Sequence, residues 1–170
     1  VTVNTITINT GATLTILNGS VANAATWTID GTLIANTGDS VVYINYDSGT
    51  GSGVINVGST GSITKLGTGD LYIYSTFNNA GSLIFTEHGT SNDGVIIIRG
   101  GSHSGIFQGE WLYLGDNVSG QVFNFNVGSE IRVNNMLVRN GTVNIYGTYS
   151  QPANTGTSLS VQPSSGTAVV

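Results

Sequence analysis

Apolar and polar residues alternate along this chain in short runs. Val1, Val3, Ile6 and Ile8 are separated by Thr and Asn; Leu14 and Ile16 stand beside Thr13 and Thr15; Trp27 and Ile29 flank Thr28; Val143 and Ile145 flank Asn144. A period of two sends successive side chains to opposite sides of a strand, so each run predicts a strand of about five residues. The β-branched residues that fill the runs suit a pleated surface. Val95-Ile96-Ile97-Ile98 is apolar throughout and predicts a strand as well. Between the runs come Gly, Asn, Asp and Ser, with Asn18-Gly19 and Asn140-Gly141 as strong turn pairs. No stretch carries the 3.6-residue period and the caps of a helix. The chain reads as all-β.

The runs recur at a nearly fixed step. Gly, a small hydroxyl residue and an apolar residue occur together at Gly31-Thr32-Leu33, Gly61-Ser62-Ile63, Gly81-Ser82-Leu83 and Gly141-Thr142-Val143. Gly11-Ala12-Thr13-Leu14 and Gly120-Gln121-Val122 are looser members. The leading glycines are one or two units of about 20 residues apart, with one excess of about ten between Gly31 and Gly61. That excess coincides with residues 47–53, Asp47 to Gly53, which read as an inserted surface loop. A second register lies seven or eight residues behind the first. Gly38-Asp39 precedes Val41 and Tyr43; Gly69-Asp70 precedes Leu71-Tyr72-Ile73-Tyr74; Gly109-Glu110 precedes Trp111-Leu112-Tyr113; Gly128-Ser129-Glu130 precedes Ile131.

A unit of about 20 residues is too short for a propeller blade, and the Leu-Asn ladder of a leucine-rich repeat is missing. A coil of three short strands with tight turns fits it. Coils of this kind stack at about 4.8 Å, and their backbone hydrogen bonds run from coil to coil. The expectation is a right-handed parallel β-helix (a β-solenoid) with roughly seven to eight coils, a rod of roughly 35–40 Å. Its hand follows the usual hand of parallel crossovers. A β-sandwich, which also has strands every 8–12 residues, is the alternative. Residues 1–146 would form the coils; residues 147–170, which hold Pro152 and Pro163, would form a final irregular coil, cap or linker.

Charged residues are only 8% of the 170, while 39% are hydrophobic. Disorder needs low hydrophobicity, so this chain can bury a core and takes its polarity from Thr, Ser and Asn. A net charge of −5 argues against nucleic-acid partners, which call for clustered Lys and Arg. No run of 18 apolar residues predicts membrane insertion. Without cysteine there are no disulfides or thiolate metal sites.

Gly61-Ser62-Ile63-Thr64-Lys65-Leu66-Gly67-Thr68-Gly69-Asp70-Leu71-Tyr72-Ile73 resembles the passenger-associated repeat of bacterial autotransporters and related large secreted adhesins. That repeat runs Gly-x-apolar-x-Lys-x-Gly-x-Gly-x-apolar-x-apolar. Phe77-Asn78-Asn79-Ala80-Gly81-Ser82-Leu83 resembles the phrase that often follows it. The close match covers about 25 residues, and the Lys-bearing phrase does not return after residue 90. The resemblance implies a right-handed β-helix displayed on, or released from, a cell.

Several constellations carry candidate chemistry. Asp39, Asp70, Glu110 and Glu130 share the second register and would form a carboxylate column along one edge. Solvated turn residues are the plain reading of that column; a weak Ca²⁺ site is the functional one. Glu87-His88, Arg99 and His103 bring acid–base types together, but their spacing does not put them at one coil position, and ordinary surface turns account for them. Tyr43, Tyr72, Trp111 and Tyr113, with Trp27 and Tyr74, offer stacking faces for a ligand. Packing is the usual role of aromatic residues in such strands. The pairs Thr5/Thr7, Thr13/Thr15 and Thr26/Thr28 make a flat hydroxyl surface of the kind seen on ice-binding β-solenoids, but they thin out after residue 28. No nucleophile elbow, zinc-protease motif or phosphate loop appears.

The sequence therefore leads to a non-catalytic extracellular or cell-surface scaffold, an adhesin stalk or filament segment. Its expected partners are a host or neighbouring-cell surface glycan or protein, or copies of itself stacked end to end. A carbohydrate-binding or carbohydrate-active β-helix is the alternative, and an ice-binding solenoid the lesser one.

Overall fold

The computed structural model describes residues 3–46, 53–85, 95–115, 120–150 and 159–161, with Glu110 and residues 159–161 described by backbone alone. Every strand pairing in it is parallel, which excludes the β-sandwich. The chain is a parallel β-solenoid of three faces.

The first face stacks β1 (Val3–Ile8), β4 (Ala24–Ile29), β7 (Val54–Val57), the end of β9 (Leu71–Asn79), β12 (Gly101–His103), β14 (Val122–Phe125) and β16 (Thr142–Ile145). The second stacks β2 (Thr13–Ile16), β5 (Thr32–Gly38), β8 (Ser62–Gly67), β10 (Ser82–Phe85), the starts of β13 (Ile106–Leu114) and β15 (Glu130–Val138), and β17 (Thr148–Tyr149). The third stacks β3 (Val21–Ala22), β6 (Val42–Ile44), the start of β9, β11 (Ile96–Arg99), the ends of β13 and β15, and β18 (Leu159–Val161). From β1 to β16 the chain completes about six turns, slightly fewer than the seven to eight coils expected. The one long step, Thr32 to Ser62 on the second face, spans the expected insertion; apart from Gly53, residues 47–53 lie outside the described residues.

The period-two pattern becomes inward and outward columns. On the first face Trp27, Ile55, Phe77 and Phe123 point in, and on the second Leu33, Ile63, Leu83, Phe107 and Ile131, all 0% exposed. Each such side chain contributes roughly 1.5–3 kcal/mol by leaving water. The corner between these two faces explains the first sequence register. A Cβ on Gly61 would lie 1.9 Å from the Ile29 carbonyl oxygen, and one on Gly81 would lie 2.1 Å from that of Gly61. Only glycine lets one coil lie this close on the next.

That register needs a correction. Gly31, Gly61 and Gly81 stack as expected, and Gly105, at the same corner, takes the next place: Ser82 pairs with Ile106. Gly120-Gln121-Val122 and Gly141-Thr142-Val143 instead open strands of the first face. They stack on each other at a different corner.

Polar groups inside the rod are tied to corners. Asn45, with φ of 56°, accepts at Oδ1 from the Ala24 backbone N–H at 2.8 Å and from Trp27 Nε1 at 3.0 Å, and its Nδ2 donates to Ser75 Oγ at 2.6 Å. Lys65 occupies an inward position between Ala35 and Phe85, 1% exposed. Its Nζ donates to the Gly67 carbonyl at 2.7 Å, and burial lowers its pKa against the opposing pull of Asp70.

Candidate functional site: an outward aromatic face

On the third face Val42, Ile44, Leu71, Ile73, Leu112 and Leu114 point inward, so the residues between them point out. Tyr43 pairs with Tyr72, Tyr72 with Ile97, Ile97 with Tyr113 and Tyr113 with Leu137. Three of the aromatics singled out in the sequence thus fall into one outward column, and Trp111 stands two residues before Tyr113 on the same strand. Trp27 does not belong to it; it is fully buried on the first face.

The rings touch. Tyr43 and Tyr72 have centroids 5.3 Å apart at 29°, Tyr72 and Tyr74 are 5.6 Å apart at 9°, and Trp111 meets Tyr113 edge-on at 6.1 Å. Tyr46, nearly half exposed, closes the group against Tyr43 and Tyr74. Rings stacked along the rod partly cover each other's faces, and ring edges and phenol hydroxyls contribute to what the column presents. Two guanidinium groups lie over rings: Arg99 over Tyr74 at 4.4 Å and Arg139 over Tyr113 at 4.3 Å. Sequence reasoning had not placed either arginine here, because Arg99 was grouped with the histidines. Burial, with Asp70, Tyr74 and Tyr43 acting in the same sense and Arg139 opposing, pushes the Tyr72 phenol up to about 12. Tyr72 is therefore a protonated phenol, able to donate, throughout the physiological range.

The four carboxylates do not form one column. Gly38 pairs with Gly67 and Val42 with Leu71, an offset of 29 in both cases, so Asp39 lies beside Thr68 and Asp70 beside Val41. Glu110 occupies the same corner but precedes Trp111, whose partner on the next coil is Asn135. Glu130 belongs to the second face, paired with Ile106, and its carboxylate binds Arg132. Asp70 is engaged locally: Oδ1 accepts the Val95 N–H at 3.0 Å, and Oδ2 lies 3.5 Å from the Tyr72 hydroxyl. Among the described residues no three His, Asp or Glu side chains converge as metal ligands.

His103, read from the sequence as a surface turn residue, is 0% exposed. It occupies an inward column between Asn79 and Phe125, packed edge-on against Phe107 at 5.0 Å. Neither ring nitrogen has a hydrogen-bond partner among the described residues, and burial lowers its pKa to about 3. Glu87 and His88 lie outside the described residues.

The threonine pairs divide between faces. Thr5/Thr7 stack on Thr26/Thr28, whereas Thr13/Thr15 are on the second face. The column of Thr7 and Thr28 continues through Asn56, Asn78, Ser102, Asn124 and Asn144. Its amides are linked, Asn78 Nδ2 to Asn56 Oδ1 at 3.0 Å and Asn144 Nδ2 to Asn124 Oδ1 at 2.8 Å. The first face thus carries an uncharged ladder beyond the point where threonine thins out.

Comparison of the chain with protein-family models, with curated proteins and with solved structures found no match.

Proposed function

We propose that this protein is a non-catalytic β-solenoid that binds an extended polysaccharide along its third face. The observation that carries the reading is the outward column of Tyr43, Tyr72 and Tyr113, with Arg99 and Arg139 laid over neighbouring rings. A solenoid buries its apolar residues inward; three tyrosines kept outward in one column, two on successive coils and the third beyond Ile97, are not required by the core. A rod also offers a linear ligand the same face coil after coil. No step of bond cleavage is assigned, since Asp70 is held by a backbone N–H and His103 is sealed in the core. Display outside the cell, in the manner of autotransporter passengers and large adhesins, is the context we infer from the Gly61–Ile73 phrase. Affinity electrophoresis through gels containing soluble polysaccharides tests the reading. Retardation in at least one gel, lost in Tyr72→Ala and Tyr113→Ala with the fold intact by circular dichroism, is expected. Equal mobility of wild type and both variants in every gel would refute it.

A second reading, ice binding, is favoured by the uncharged ladder of the first face. Thr5, Thr26, Val54 and Thr76 run beside the Thr/Asn column. Arg99, the next residue in line, sends its guanidinium over Tyr74. Inhibition of ice recrystallisation by wild type, abolished in Thr28→Tyr and retained in Thr64→Tyr on the second face, is the outcome this reading requires.

A further inference from the structure

We infer that Tyr43 and Tyr72 form a site of oxidative cross-linking, at which a one-electron oxidant of phenols, of the class of a haem peroxidase working with hydrogen peroxide, joins the two rings and staples one coil to the next. The inference goes beyond the glycan reading and does not rest on it, since it needs only two phenol rings in contact.

Four of the chain's seven tyrosines meet in one cluster. Tyr43 and Tyr46 come from one coil, and Tyr72 and Tyr74 from the next. Tyr43 touches the other three rings, at centroid distances of 4.8, 5.3 and 6.1 Å. Tyr46 is 46% exposed and opens the cluster to an oxidant in solution. Tyr43 and Tyr72 are direct register partners, on strands about 4.8 Å apart. Parallel strands in register send both side chains out the same way, so the hydroxyl ends of these rings, only 29° from parallel, lie on the same side. Tyr46 is less well disposed: it is tilted by 57° to Tyr43 and stands edge-on to Tyr74 at 78°.

The chemistry balances. Each phenol gives up one electron and its hydroxyl proton, which leaves a phenoxyl radical with spin on the ring carbons ortho to oxygen. The two radicals pair, and a bond forms between one ortho carbon of each ring. Each of those carbons then releases its hydrogen to the phenol oxygen, and both rings become aromatic again. The pair has lost two hydrogens, which hydrogen peroxide takes up to give two molecules of water. At Tyr72 the departing proton has an acceptor. The phenol is held protonated, so its electron leaves with the proton, and Asp70 Oδ2 stands 3.5 Å from the hydroxyl. The Val95 N–H fixes that carboxylate through Oδ1.

The chain has no cysteine, so no disulfide ties its coils together. A bond between residues 43 and 72 closes a loop of 29 residues and restrains the unfolded chain, as a disulfide of that span does.

The test treats the dilute full chain with a haem peroxidase and limiting hydrogen peroxide, then unfolds it and digests it with trypsin. Cleavage after Lys65 puts Tyr43 and Tyr46 in one peptide and Tyr72 and Tyr74 in another. The expected product is a monomer with blue dityrosine emission. Its two peptides are joined with the loss of two hydrogens, and fragmentation places the bond between Tyr43 and Tyr72. Tyr43→Phe and Tyr72→Phe keep the rings and remove the hydroxyls; each should lower this product at least tenfold, while Tyr146→Phe leaves it unchanged. The joined monomer should unfold at a higher urea concentration than the untreated protein, and an unchanged midpoint overturns the staple. Tyr146 is the most exposed tyrosine, at 66%. If exposure alone governed the reaction, the product would be dimers joined through Tyr146, and that result overturns the inference. A bond confined to one peptide, Tyr43 to Tyr46 or Tyr72 to Tyr74, overturns it as well, and so does the absence of dityrosine. None of these outcomes bears on glycan binding by the third face.

Discussion

Acid should weaken this protein through a single buried imidazole. His103 is 0% exposed, both ring nitrogens lack partners among the described residues, and its pKa is lowered to about 3 by burial alone. An unfolded histidine titrates near 6.5. Between those values the unfolded chain binds a proton that the folded chain refuses, so stability must fall as pH drops through 6.5 and continue to fall toward 3. At pH 5 the unfolded state gains about 2 kcal/mol from this one group, and at pH 4 about 3 kcal/mol. The figure at pH 5 changes little for any folded value below 4. Against a total of roughly 5–15 kcal/mol such a loss is readily measured. The perturbation is His103→Leu, close in volume and unable to titrate. Urea unfolding at pH 8, 6.5 and 5 gives two curves. Their offset at pH 8 reports packing and the two unpaired nitrogens; their divergence toward pH 5 reports titration. Wild type should lose about 2 kcal/mol relative to His103→Leu between pH 8 and pH 5, and nitrogen chemical shifts should show a neutral His103 ring at pH 5. Parallel curves, or a ring that protonates near 6.5 in the folded protein, would refute the argument.

Four further outcomes follow from particular contacts. Asn45→Ala leaves the Ala24 N–H, Trp27 Nε1 and Ser75 without their buried partner and should cost about 2–4 kcal/mol in urea unfolding. Gly81→Ala places a Cβ 2.1 Å from the Gly61 carbonyl oxygen; the coils must separate there, for a loss of about 3 kcal/mol or more in the same assay. Lys65 has a folded pKa below its unfolded value, so the folded state sheds its proton first. Wild type should gain stability relative to Lys65→Met as pH rises from the folded value toward 10.5, and a constant difference would sink the idea. Tyr72 should remain protonated at pH 11 in the folded protein; ultraviolet titration of wild type against Tyr72→Phe reads this directly.

Much of this fold could be read in the alternation of residues, because a β-solenoid writes its cross-section into parity. Val42-Tyr43-Ile44 and Leu71-Tyr72-Ile73 each say that the tyrosine points away from its neighbours, and the neighbours are buried. What parity does not give is register. Tyr43, Tyr72 and Tyr113 are 29 and 41 residues apart, and only the coil pairings show that they share a column. Glycine misled for a physical reason. Backbones approach closely at more than one corner: a Cβ on Gly81 would strike the Gly61 carbonyl at one, and a Cβ on Gly141 would strike that of Gln121 at another. A glycine before an apolar residue therefore marks a corner without saying which. His103 was illegible because polarity was taken as exposure. With Ser102 outward, parity alone already placed Gly101 and His103 inward.

The interior and the surface of this rod answer to different constraints. Inward columns are held to apolar residues by packing, and backbone hydrogen bonds between coils are made whatever side chain points outward. Outward columns are free to diverge, and they do so by face: amides and hydroxyls on the first, the Glu130–Arg132 pair on the second, tyrosines flanked by arginines on the third. A fold that leaves three surfaces open to independent change needs a cause for an outward column that carries Tyr43, Tyr72 and, beyond Ile97, Tyr113. Cross-strand ring contacts contribute only about 0.5–1.5 kcal/mol each, and threonine or valine fills the same strand positions without placing large rings in water. The aromatic column is thus better explained by what it touches than by what it holds together. Replacing Tyr43 and Tyr72 together by Thr removes four ring contacts and should therefore abolish retention by a polysaccharide while lowering stability by about 2–6 kcal/mol. Collapse of the fold in that variant would show that the rings are structural after all.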